Sequence, residues 1–156
     1  MKKNLYIIAI ALFTLTACKN EAAPEELALK VSKMEIEAFE TLKAEAMEVH
    51  DEIMPKMGEL MELRGELTAI EPSSISEGDS RNERSLVAEN LKASHDAMMS
   101  WMQDYSEKFP YGDPTPETKE AMDKKLPLLE QEVKEIKDLK EQTFNAIEMA
   151  QELLRK

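Results

Sequence analysis

The chain has 156 residues, with 20 basic and 32 acidic side chains for a formal charge of −12, a single cysteine and few aromatic residues. So acidic a body is repelled by nucleic-acid phosphates and anionic lipid headgroups, and no nucleic-acid partner is expected. Glycine is scarce, Ala, Glu, Lys, Leu and Met dominate, and no β-branched run alternates with period two, which predicts an all-α fold of one modest domain.

Lys2 and Lys3 precede an apolar run from Leu5 to Leu15 that is too short to span a bilayer as a stable helix, so residues 1–17 read as a signal peptide. Leu15-Thr16-Ala17-Cys18 closes it and resembles the lipobox of bacterial lipoproteins. That resemblance implies cleavage before Cys18, a thioether lipid on its sulfur and an acyl chain, of the palmitate kind, on the freed amine. Lipidation of Cys18 leaves no thiol, which removes disulfides, thiolate zinc sites and a cysteine nucleophile together. Residues 18–24 become a lipidated tether, and several acyl chains hold far better than the marginal anchoring of one. Losing Lys2 and Lys3 leaves 18 basic against 32 acidic groups and a charge of −14. Lys19-Asn20-Glu21 resembles the surface-export signal of some Bacteroidota lipoproteins, departing from it at Asn20, where that signal carries an acidic residue. The expected location is the outer membrane, with the body facing the periplasm or the cell surface.

Residues 25–156 are expected to form an antiparallel three-helix bundle of long, proline-kinked helices over about 25–70, 81–109 and 116–155. Pro24-Glu25-Glu26 suits a first helical turn. Phe39, Leu42, Ala46, Val49, Ile53, Leu60, Leu63, Leu67 and Ile70 then mark one face, flanked by a second stripe of Met47, His50, Met54, Met57 and Met61. Residues 71–79 read as a turn-rich linker, and Ser80-x-x-Glu83 has the form of a capping box opening the second helix. That helix carries Leu91, His95, Met98, Met102, Tyr105 and Phe109 in four-three alternation. Pro110 to Pro114 turn the chain, and Thr115-Pro116-Glu117 restart it as cap, N1 proline and acidic first turn. The third helix is expected to bury Met122, Leu126, Leu129, Val133, Ile136, Phe144, Ile147 and Leu154. Pro55 and Pro127 deprive Asp51 and Asp123 of a carbonyl partner, so kinks or short breaks are expected at both.

One pattern has chemistry in it. His50-Asp51-Glu52-Ile53-Met54-Pro55-Lys56-Met57 and His95-Asp96-Ala97-Met98-Met99-Ser100-Trp101-Met102 both read His-Asp-x-(apolar)-Met-x-x-Met. Positions i, i+4 and i+7 share a helical stripe, so each copy aligns an imidazole with two thioethers. A hairpin turning near residue 76 sets His50 against Met102, Met54 against Met98 and Met57 against His95, and a turn near residue 113 brings Met122, Leu126 and Leu129 over this level. His50, Met54, Met57, His95, Met98, Met99 and Met102 are soft to borderline donors suited to Cu(I). A Met stripe at helical spacing is equally a flexible core filler, and a histidine on an apolar face is often a hydrogen-bonded core residue. Haem is not expected: no Cys-x-x-Cys-His attachment is present and three helices leave little room. Asp51 and Asp96 point about 100° from their histidines and are expected to be solvated. Trp101 is expected at the helix junction. Paired carboxylates are expected on outward faces.

The strings HDEIMPKMGEL, at 50–60, and SHDAMMSWMQDY, at 94–105, with the lipobox ahead of them, resemble small Bacteroidota envelope lipoproteins labelled "viral A-type inclusion protein". The label reflects coiled-coil-like composition and implies no viral role. The resemblance implies an envelope-anchored helical protein without an established activity. No Ser-His-Asp context, phosphate-binding glycine loop, HExxH or EF-hand loop occurs, so the expectation is a non-enzyme. Two function classes stand: a structural or interaction lipoprotein with an envelope protein as partner, and a Cu(I)-binding or buffering protein.

Overall fold

The computed structural model describes residues 30–69 and 78–155, and the lipobox, Pro24-Glu25-Glu26, Ile70 and most of the 71–79 linker lie outside them. The elements are α1 (Lys33–Ile53), a 3-10 turn (Met54–Lys56), α2 (Met57–Ala69), α3 (Gly78–Lys108) and α4 (Lys119–Leu154). The expected all-α class holds: α1 and α2 form one interrupted rod, and α3 and α4 are the other two.

Among the described residues, helix α1 starts at Lys33. Lys30 pairs with Thr118 in an isolated antiparallel bridge, which holds Lys30–Ser32 out of helical conformation. Ser32 is extended and forms a capping box: its Oγ accepts from Glu35 N–H at 3.2 Å while the Glu35 carboxylate accepts from Ser32 N–H at 2.9 Å. The same bridge keeps Thr118 extended, and Thr118, not Thr115, caps α4 by accepting from Ala121 N–H at 3.3 Å. Thr115 instead donates its hydroxyl to Glu40. Helix α3 begins at Gly78, so Ser80-x-x-Glu83 lies inside the helix and does not open it.

The two prolines behave differently. At Pro55 the chain tightens into the 3-10 turn, where Met57 N–H bonds Met54 O. At Pro127 α4 continues without a break; one missing N–H is tolerated inside a 36-residue helix that packs along its length.

Contacts between side chains fix the alignment of the rods. Phe39 meets Phe109 with centroids 6.2 Å apart and His50 meets Trp101 at 6.1 Å. Glu35 pairs with Lys119 at 2.9 Å, Glu45 with Lys137 at 2.5 Å, Glu52 with Lys140, and Glu59 with Gln151 at 2.9 Å, so numbers rise together on the first rod and α4. Exposed pairs of this kind contribute about 0–1 kcal/mol each, so they specify alignment more than stability. Stability comes from a continuous apolar core running from Phe39 through Leu60, Leu91, Met98, Leu129 and Ile136 to Leu153. Phe144 departs from expectation at 38% exposure, because it sits one residue round from the inward-facing Thr143, at the edge of the stripe. Met47 and Met61, the ends of the second stripe, are also exposed.

Replacing Ser32 by Ala is expected to cost about 1 kcal/mol, read as a lowered Tm in circular dichroism. The hydroxyl and N–H of Ser32, backed by the Lys119 ammonium, hold the Glu35 carboxyl down to about 2 from its ordinary 4.5. Its contribution is present above pH 4.5 and lost as pH falls through about 2. Glu35→Gln is therefore expected to flatten the fall in stability between those values, measured by denaturation across that range.

Candidate functional site

The repeated His-Asp pair occupies the last turn of α1 and the middle of α3. His50 Nδ1 lies 2.9 Å from Asp51 Oδ1, and His95 Nδ1 lies 3.4 Å from Asp96 Oδ1. An ionised carboxylate only accepts, so the proton between them sits on Nδ1 and Nε2 is the nitrogen offered to a ligand. Both aspartates are exposed, at 78% and 54%, as expected of solvated groups, and each also faces its own histidine. Asp96 also accepts from Lys92, and that bond first, with His95 second, holds its carboxyl below the usual range.

Burial sorts the expected ligands. The His50 and His95 side chains are 21% and 29% exposed, so each rims the core and neither is sealed inside it. Met98 is fully buried and Met57 nearly so, while Met54 and Met102 are half-buried against the core. Met99 is 41% exposed, since one residue of helix turns it about 100° from Met98, and it is not brought to the interior with the others.

Alignment decides how the two copies meet. His50 faces Trp101, one residue from the expected Met102. Six residues of α3 separate Trp101 from His95, about 9 Å of helical rise. Helix α4 meets the Trp101 level at Glu132, because Trp101 Nε1 donates to the Glu132 carbonyl at 3.2 Å. The expected lid of Met122, Leu126 and Leu129 is displaced toward the loop end: α4 starts at Lys119, and Lys125 donates to the Lys108 carbonyl there. Among the described residues, no three His, Cys, Asp or Glu side chains are grouped to hold a metal ion, so any ion here would rely on nitrogen and thioether sulfur.

Next to this level lies a cluster that sequence reasoning missed. Glu132 is fully buried, against the expectation that carboxylates face outward. Its Oε1 accepts from Lys108 Nζ at 2.6 Å, and Oε2 has no hydrogen-bond partner among the described residues. That bond raises the Lys108 ammonium above its ordinary pKa. Burial, with the Glu132 carboxylate second, pushes the Tyr105 phenol up. Trp101 stacks on Tyr105 at 4.9 Å, and Tyr105 lies 5.2 Å from Phe109, a ladder at i, i+4, i+8 spacing. Lys125 Nζ sits 5.1 Å over the Phe109 ring. A groove of about 360 Å³ runs beside the ladder, lined by Trp101, Asp104, Glu135, Asp138, Leu139 and Gln142 among others. The signal for Glu132 was present: Leu129, Glu132, Val133 and Ile136 fall on one helical stripe.

The chain matches no family model, no curated protein and no solved structure.

Met98→Ala is expected to cost about 3 kcal/mol and Met99→Ala less than about 0.5 kcal/mol, read from urea midpoints at constant m. Lys108→Met strands the Glu132 carboxylate and is expected to cost about 3 kcal/mol. Glu132→Leu, which removes the buried charge and frees Lys108 to reach water, should cost clearly less in the same measurement.

Proposed function

We propose that this chain is a lipid-anchored, non-enzymatic lipoprotein of the bacterial envelope, whose body is an antiparallel, proline-kinked three-helix bundle with a structural or protein-interaction role. The observation that carries the reading is the lipobox ending at Cys18, 12 residues ahead of Lys30, where the described body begins. That interval lets a lipid hold the bilayer while the helical body folds outside it. Among the described residues, no helix is long and apolar enough to cross a membrane, so acyl chains are the attachment this reading calls for. The opposed contact orders of α1–α2 and α3, and of α3 and α4, support the antiparallel arrangement. The 3-10 turn at Pro55 supports a bend in the first rod. The likeness to small Bacteroidota lipoproteins agrees on location, the outer membrane, with the body on its periplasmic or external side and an envelope protein as partner.

A second reading, Cu(I) binding or buffering, is favoured by the doubled His-Asp pair. A carboxylate on Nδ1 fixes the tautomer and presents Nε2, the arrangement that accompanies imidazole ligands of metals. Met54 and Met57, and Met98 and Met102, would supply the thioethers in each copy.

Growth with an alkyne fatty acid is expected to label the wild-type protein and leave Cys18→Ser unlabelled, with the mature mass beginning at residue 18; labelling that survives Cys18→Ser refutes the anchor. Anaerobic Cu(I) titration against a chromogenic chelator tests the second reading: binding weaker than micromolar, or unchanged in the His50→Ala, His95→Ala double variant, refutes it.

A further inference from the structure

The loop between α3 and α4 has a rigid tip. Asp113 N–H donates to Pro110 O at 3.1 Å, and Gly112 takes φ 87°, the left-handed conformation glycine tolerates, so Pro110–Asp113 is a tight turn of the type II kind. Tyr111 occupies its outer corner with its whole side chain in solvent. Pro110, Pro114 and Pro116 fix the backbone on either side, so little chain entropy is left to lose when the ring meets a surface. A tyrosine held this way has an apolar body and a polar tip, the pair of properties that settles aromatic residues at the level of lipid headgroups.

The chain coming from Cys18 joins the bundle at this same end. Lys30 bridges Thr118, and Glu35 pairs with Lys119 at 2.9 Å, directly after the loop. Cys18 lies 12 residues ahead of Lys30, at most about 40 Å of extended chain. The 36 residues of α4 carry the opposite end roughly 54 Å away. An anchor at Cys18 therefore keeps the tip within reach of the bilayer, and the far end reaches it only if the body lies down. The Pro110–Pro116 loop carries a single charged side chain, Asp113, so it meets less repulsion at headgroup phosphates than the rest of a chain with 32 acidic groups.

We propose that the Pro110–Pro116 loop is a membrane-docking tip, in which Tyr111 seats in the headgroup layer of the bilayer that holds the Cys18 lipid. The proposal rests on the lipoprotein reading above and deepens it: the anchor would then fix the orientation of the body as well as its location.

The test couples the thiol of Cys18, the only cysteine, to a maleimide phospholipid in phosphatidylcholine vesicles, using the chain from Cys18 to Lys156. Chemical coupling supplies an anchor whether or not a cell lipidates Cys18, so failure of docking is distinguishable from failure of the lipoprotein reading. Tyr111→Trp and Leu86→Trp place reporters at the tip and on an exposed site near the other end of α3, over the constant emission of buried Trp101 measured on the unsubstituted chain. With brominated lipids, the residue-111 reporter is expected to lose about twofold in emission and the residue-86 reporter to stay unchanged. Equal loss at both, or loss at 86 alone, overturns the orientation. The unsubstituted chain gives an independent readout: cleavage by chymotrypsin after Tyr111 should slow several-fold on coupled vesicles. Unchanged cleavage, with no quenching at 111, overturns docking and leaves the tyrosine to a protein partner.

Discussion

All three rods meet at Trp101. Its ring faces His50 on the first rod, its indole N–H donates to the backbone of Glu132 on α4, and it stacks on Tyr105 of its own helix. A large planar side chain that is 4% exposed and committed to three partners leaves little freedom to slide any helix by a residue. Helices joined only by Leu, Met and Ala have several near-equivalent ways to interdigitate, and one residue with both shape and a directional donor removes that degeneracy. The surface ion pairs along the first rod and α4 repeat the same alignment at lower energy.

Much of the framework was legible because helical periodicity survives in one sequence. The apolar spacing of the first rod, from Phe39 to Leu67, matches its buried face. Pro55 announced its own interruption. What periodicity could not supply was tertiary. Thr115 looked like a helix start because its local chemistry is right, yet the bridge between Lys30 and Thr118 holds both segments extended, and the helices that follow them start at Lys33 and Lys119. The Ser32-x-x-Glu35 box that caps α1 is legible in the chain as a local pattern.

The site was read less completely, for a related reason. An i, i+4, i+7 pattern states which residues share a stripe and says nothing of how far the stripe's edge lies from solvent. Hence Met98 is interior and Met99 exposed. The aspartates are exposed, as their helical angle implies, and the flexibility of the histidine side chain still lets each ring reach its neighbour. Glu132 was misassigned because composition argues that glutamates are solvated, a rule that fails where a lysine from the next helix can follow the carboxylate inward.

That carboxylate has a consequence for how the chain finds one structure. Slipping α4 along α3 by a turn would leave the apolar contacts nearly as favourable, since leucines and methionines accept many neighbours. It would also carry Glu132 about 5 Å from the ammonium of Lys108 and abandon a charge in a medium that cannot solvate it. The misaligned bundle is thus penalised where the correct one is only modestly rewarded, and a buried acid that adds little to the native state makes its close competitors costly.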